Sequence, residues 1–160
     1  MKAMVVYDSQ FGNTATVAQT IGEALGALGD VTVAKAGDVR PEQLSGVGLL
    51  VVGSPTQKFS PTGATKDFLK GIPRGALEGT KVAAFDTRIT PEEIEKVGIL
   101  AFFVRIFGYA AEPIASRLQK KGGDLVVPPQ WFYVGGTEGP LLDGELERAS
   151  DWATEIERGL

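Results

Sequence analysis

The sequence predicts an α/β fold, a doubly wound parallel sheet of five strands in the order 2-1-3-4-5 with helices on both faces. Short apolar runs that are continuous rather than alternating mark strands buried on both sides. Segments with apolar residues at helical spacing separate them, so strand and helix alternate along the chain. At 160 residues, with 43% hydrophobic and 22% charged side chains, the chain is expected to form one domain over residues 1–160 with a full core.

Strand 1 is read at Ala3 to Asp8, centred on Val5 and Val6. Val17, Ile21, Leu25 and Leu28 then recur at helical spacing until Gly29-Asp30 stops the pattern, with Asn13 or Thr14 as the expected cap. Val31 to Ala34 reads as strand 2, and Leu49 to Val52 as strand 3, ending at Gly53. Ala64, Phe68 and Leu69 mark a short helix, and Lys81 to Phe85 a fourth strand. Thr90-Pro91-Glu92-Glu93 starts a helix by cap, first-turn proline and capping box. Ile114 and Leu118 sit on a helix ended by Gly122-Gly123, and Leu125-Val126-Val127 opens a fifth strand that Pro128-Pro129 interrupts or confines to an edge. A closing helix places Leu142, Leu146, Ala149, Ala153 and Ile156 on one stripe, with Asp143 as cap.

Composition excludes several functions. The net charge of −4, without a basic run, argues against nucleic-acid binding. With no Cys and no His, a disulfide scaffold, a thiol nucleophile, a Ser-His triad and the common zinc sites are ruled out. Difficult chemistry is therefore expected from a bound cofactor, with no catalytic side chain and no metal. Met1-Lys2 leads straight into a strand, so the cytoplasm is the expected location.

In the 2-1-3-4-5 order a ligand sits at the carboxyl ends of strands 1 and 3, where the winding reverses. Three loops should build the site: residues 9–14, 54–62 and 86–109. Ser9-Gln10-Phe11-Gly12-Asn13-Thr14 joins a strand to a helix, placing hydroxyls, an amide and free N–H groups at a helix N-terminus. Without charge in the hexapeptide, an anion there would be held by N–H donors and the dipole, which suits a phosphate monoester. Such a turn also occurs in α/β proteins that bind nothing there.

Ser54-Pro55-Thr56-Gln57-Lys58-Phe59 opens the second loop, with two prolines across 54–62 limiting its freedom. Phe59 is either a platform for a flat heteroaromatic or packing beneath the loop, and Lys58 is either a local positive charge or a solvated one. Asp86-Thr87-Arg88 begins the third, where Asp86 either bonds a ligand N–H or pairs with Arg88. Gly98 to Phe107 is apolar except for Arg105 and, at ten residues, too short to span a bilayer. Core filling against the sheet edge is expected of it, with a lid, a dimer face or a partner-docking surface as alternatives. Trp131 and Tyr133 are expected to pack rather than bind.

Other ligands of this topology fail on particular residues. A receiver domain needs an Asp where Gly53-Ser54 stands, a P-loop needs G-x-x-x-x-G-K-[ST], and a dinucleotide fold needs G-x-G-x-x-G after strand 1.

Over essentially its whole length the chain resembles the flavodoxin family. Family members carry [T/S]-x-T-G-x-T after strand 1, and Ser9, Gly12 and Thr14 match its first, fourth and sixth positions, while Phe11 replaces a hydroxyl at the third. Gly53-Ser54-Pro55-Thr56 and the order of elements match as well. The resemblance implies FMN, its phosphate held by residues 9–14 and its ring sandwiched by the loops after strands 3 and 4. By position Phe59 is the first aromatic of that sandwich, whereas Asp86-Thr87-Arg88 lacks the second. Ile106-Phe107-Gly108-Tyr109 resembles the segment that holds the pyrimidine edge, so Phe107, Gly108 and Tyr109 join the expected site. The implied activity is electron transfer between protein partners, a reductase and an acceptor. An FMN-dependent reductase of quinones or another small oxidant is the alternative on the same scaffold. An FMN-free interaction module using residues 98–107 for a partner or a second copy is the third reading. No glycine stands in residues 54–60, so a positive φ in that turn is expected to be costly.

Overall fold

Side-chain alternation along the strands divides the interior into two cores, one on each side of the sheet, in a computed structural model that describes residues 1–57, 59–96, 98–99 and 108–160. The chain runs β1 (Lys2–Tyr7), α1 (Asn13–Ala24) with a 3₁₀ turn at Leu25–Leu28, β2 (Asp30–Lys35), β3 (Leu49–Pro55) and α2 (Gly63–Gly71). It continues through β4 (Lys81–Ile89), α3 (Pro91–Glu95), α4 (Ala111–Lys120), β5 (Asp124–Leu125), β6 (Gln130–Val134) and α5 (Glu145–Gly159). All pairings between named strands are parallel, in the order β2-β1-β3-β4-β5, with β6 also on β4.

β5 and β6 pair with successive stretches of β4, Lys81–Val82 and Phe85–Ile89. They form one fifth strand broken at residues 126–129, where two prolines remove ladder donors. Along β1, Ala3, Val5 and Tyr7 face α1 and α5, while Met4 and Val6 face α2 and α4. On the α1 side Phe85, Phe132 and Trp152 meet edge to face at 6.0–6.2 Å between ring centroids. Gly53 lies over that cluster, and a Cβ there would fall inside the Phe85 ring. Close approach, not a positive φ, fixes this glycine.

Four expectations are corrected. β3 continues to Pro55 and β4 to Ile89, because β6 gives the end of β4 a ladder partner, so Asp86, Thr87 and Arg88 stand on a strand and not in a loop. The N-cap of α1 is Gly12 at φ 94°, without a capping side chain. The N-cap of α5 is Gly144, not Asp143, and its buried residues are Glu145, Ala149, Trp152, Ala153 and Ile156, with Leu142 and Leu146 exposed. Thr90 caps α3 by accepting the Glu93 N–H at 3.3 Å, but the Glu93 carboxylate turns to Lys96 instead of closing the box. Of the apolar stretch, Gly98 and the exposed Ile99 are described; Lys58 and residues 100–107, Phe107 among them, lie outside the described residues.

Candidate functional site

A cavity of about 380 Å³ opens at the carboxyl ends of β1, β3 and β4, within the usual size of a small-molecule site. All three expected loops reach it. Ser9, Gln10, Phe11, Asn13 and Thr14 line it from the turn into α1, Pro55, Thr56, Gln57 and Phe59 from the turn after β3, and Thr87, Arg88 and Tyr109 from β4 and the approach to α4. Gly12, Ser54, Asp86 and Gly108 are not in its wall. Ile89, Ile94, Val134 and Thr137 are, and sequence reasoning missed them. The signal for Ile89 and Val134 was their place on paired strands that run further than the apolar runs suggested.

The turn into α1 is held by its own polar groups. Ser9 Oγ accepts the Gly12 N–H at 3.1 Å, which uses a lone pair and leaves the Ser9 proton to donate. Gly12 needs its left-handed φ, and nothing stands within 4 Å of a Cβ placed there, so the constraint is conformational. Asn13 Nδ2 donates to the Glu138 carbonyl at 3.1 Å, tying this turn to the segment after β6. Thr14, buried, shares a hydrogen bond of 2.8 Å with Thr87 Oγ1. Phe11, 45% exposed, stands at the rim.

The turn after β3 is stitched at its base by Ser54, which is fully buried and bonds the Pro55 carbonyl and the Thr62 N–H. Gln57 and Ser60 exchange backbone hydrogen bonds of 2.8 and 3.0 Å across the two residues between them. Phe59 takes φ 66°, a left-handed conformation that a bulky residue adopts at a cost of about 1–3 kcal/mol. The positive φ expected to be resisted here is therefore already adopted. Gln57 Nε2 donates to Gln10 Oε1, joining the two turns across the cavity.

The end of β4 sends alternate side chains to opposite faces. Thr87, in phase with Ala83 and Phe85, turns toward α1; Asp86 and Arg88, in phase with Val82 and Ala84, turn toward α4. Arg88 binds Asp86 through Nε at 2.7 Å and a terminal nitrogen at 2.6 Å, and the Ala111 N–H adds a third donor at 2.9 Å. This resolves the alternatives for Asp86 in favour of pairing. Burial raises the Asp86 carboxyl above the ordinary carboxylate range, against the lowering effect of Arg88 and the Ala111 N–H. The guanidinium lies 3.6 Å from the centroid of the Tyr109 ring and 4.9 Å from that of Trp131, a cation held between two aromatic faces. Burial likewise raises the Tyr109 phenol, with Arg88 opposing. Trp131 and Tyr133 bond to each other outside the cavity, at 3.0 Å.

The helix termini differ in what they leave open. Thr62 caps α2, Thr90 caps α3, the Asp86 carboxylate accepts from the first N–H of α4, and α5 begins with Glu145 and Glu147. Among the described helices, α1 has neither a capping side chain nor an acidic first turn. Its dipole and N–H groups are open to an exogenous anion. Among the described residues no cluster of His, Cys, Asp and Glu is arranged to hold a metal, and no helix is long and apolar enough to cross a membrane.

A family model for flavodoxins matches residues 5–152. No curated protein matches the sequence. Among solved structures, a flavodoxin from the domain Archaea superposes with TM-score 0.71 at 23% identity, covering 99% of each chain. Flavodoxin 2 from Bacillus cereus gives 0.74 at 23% identity over 100% of both chains. Flavodoxin 1 from Bacillus cereus gives 0.77 at 18% identity over 100% of this chain and 99% of that one. At these identities the structural likeness shows the fold.

Proposed function

The chain belongs to the flavodoxin family and is an FMN-binding electron-transfer protein; from that premise we propose that FMN lies in the cavity at the carboxyl ends of β1, β3 and β4, its phosphate at the N-terminus of α1. The observation that carries this placement is the terminus of α1, which alone among the described α-helices lacks both a capping group and an acidic first turn. The first-turn N–H groups and the hydroxyls of Ser9 and Thr14 would hold the phosphate, needing no lysine or arginine. Phe59 and the turn after β3 would flank the ring on one side and Tyr109 on the other.

Bound FMN supplies one- and two-electron transfer. The protein's part is to bind, orient and set charge. Arg88 is the cation of the cavity wall among the described residues, yet Asp86 balances it, so the pair adds little net positive charge beside the flavin. With a net charge of −4 on the chain, this favours a low reduction potential. Residues 1–160 act as one domain in the cytoplasm, taking electrons from a reductase and passing them to an acceptor protein.

Titration of the purified chain with FMN tests the placement. Ser9→Ala with Thr14→Ala is expected to weaken binding by about 1.5–3 kcal/mol for each hydrogen bond to the charged phosphate. Unchanged affinity would remove these hydroxyls from the site.

A further inference from the structure

We infer that Thr87 is a positioning residue for the phosphate: its hydroxyl donates to Thr14 Oγ1 and so leaves the Thr14 proton for the phosphate monoester. The inference rests on the reading that the N-terminus of α1 holds that phosphate.

Counting protons carries the argument. Thr14 and Thr87 are 2% and 4% exposed, their hydroxyl oxygens 2.8 Å apart, and neither hydroxyl has another partner among the described residues. Each brings one proton, and the bond between them consumes one, so the pair keeps one surplus donor. A buried donor without an acceptor is unfavourable. If Thr14 donates, the surplus falls on Thr87, which also lines the cavity but stands on a strand paired on both edges, with no helix dipole or free N–H groups of its own to draw an anion. If Thr87 donates, the surplus falls on Thr14, the second residue of α1, where dipole and free N–H groups favour an anion. A phosphate at α1 satisfies the second arrangement by taking the Thr14 proton.

Thr87 is built for such a role. It faces α1 because it is in phase with Ala83 and Phe85, its carbonyl accepts the Thr56 N–H at 3.0 Å, and its strand is paired on both edges. As a β-branched residue on a fixed strand it has little rotamer freedom to lose. The Thr14 hydroxyl belongs to the first turn of a helix, and its direction is set by the partner across the sheet edge.

The test measures dissociation constants of the full chain for FMN and for riboflavin, which lacks the phosphate. Thr14→Val is expected to weaken FMN roughly 10- to 100-fold, the worth of a hydrogen bond to a charged group, with riboflavin within about twofold. Thr87→Val, which keeps the shape, is expected to weaken FMN roughly 3- to 10-fold and to spare riboflavin likewise. Thr87→Ser should restore FMN binding to within about threefold, and the double valine variant should bind FMN about as Thr14→Val does, since the second hydroxyl acts through the first. FMN binding unchanged by Thr87→Val, equal weakening of FMN and riboflavin, or additive losses in the double variant would overturn the inference and leave the phosphate site standing. If Thr14→Val leaves the ratio of FMN to riboflavin affinity unchanged, Thr14 gives no proton to the phosphate and this inference falls; wild type binding riboflavin as tightly as FMN would overturn the phosphate reading itself.

Discussion

Replacing Arg88 by methionine keeps much of the side chain's length and removes its charge, which isolates the Asp86 carboxylate. Asp86 is fully buried, the Arg88 side chain is 11% exposed, and Arg88 provides two of the three donors around the carboxylate. Removing one partner of a buried pair costs about 3–5 kcal/mol, because the remaining charge is uncompensated. The methionine can still lie against Tyr109 and Trp131, so the loss of the cation's contact with those rings adds only about 0.5–1 kcal/mol.

The pH dependence identifies the cause. Burial already holds the Asp86 carboxyl above its unfolded value, and removal of Arg88 pushes it higher. Between the unfolded value, about 3.9, and the raised folded one, the native state binds the extra proton. Over that window stability falls as pH rises, by about 1.36 kcal/mol per unit. Wild type shares the lower part of this fall, so the deficit grows only between the two folded values; it is expected to be larger at pH 7 than at pH 5, by at most about 2.7 kcal/mol. Urea unfolding of wild type, Arg88→Met, Asp86→Asn and the double variant at both pH values measures this. The double variant should recover much of the loss, since no unpaired charge remains. A deficit below about 1 kcal/mol at pH 7, or one that is the same at pH 5, would refute the reasoning.

Two further substitutions read backbone constraints. Gly53→Ala forces a methyl into the Phe85 ring, which Phe132 and Trp152 hold in place, and should cost about 1–3 kcal/mol or more in unfolding free energy; a neutral result would mean that the cluster gives way. Phe59→Gly and Phe59→Ala both remove the ring, but only glycine accepts φ 66° without strain, so the glycine variant should be the more stable by about 1 kcal/mol. Equal stability, or alanine ahead, would show that the left-handed turn is not imposed on residue 59.

The strand order and the position of the cavity were legible because both depend on patterns within short windows. Continuous apolar runs gave the strands, helical spacing gave the helices, and the reversal of winding between strands 1 and 3 gave the crevice. What was not legible depends on partners distant in sequence. Asp86, Thr87 and Arg88 read as loop because their polar side chains end an apolar run, and only pairing with Trp131, Phe132 and Tyr133 makes them strand. Asn13 and Thr14 read as caps from local preference, yet their side chains are engaged by Glu138 and Thr87, far along the chain. Leu142 and Leu146 read as core by periodicity, and α5 instead buries Glu145, whose carboxylate accepts the Tyr133 N–H at 2.7 Å and pairs with Arg148. Thr137 and Val134 reach the cavity through the last strand and its following turn, where no motif points to a ligand.

The end of β4 explains why one helix terminus at the crevice is open and its neighbour is not. Strand alternation requires consecutive residues to serve opposite faces, so Asp86 must address α4 if Thr87 addresses α1. A carboxylate on the α4 side occupies that helix's first N–H and balances Arg88, while a neutral hydroxyl on the α1 side supplies a donor and no charge. Shifting the register by one residue would set Asp86 against α1, where its charge would repel a phosphate, and would leave α4 facing a threonine. The parity of a single strand thus selects which dipole remains open to an anion, and β6 holds that parity by pairing with the strand end.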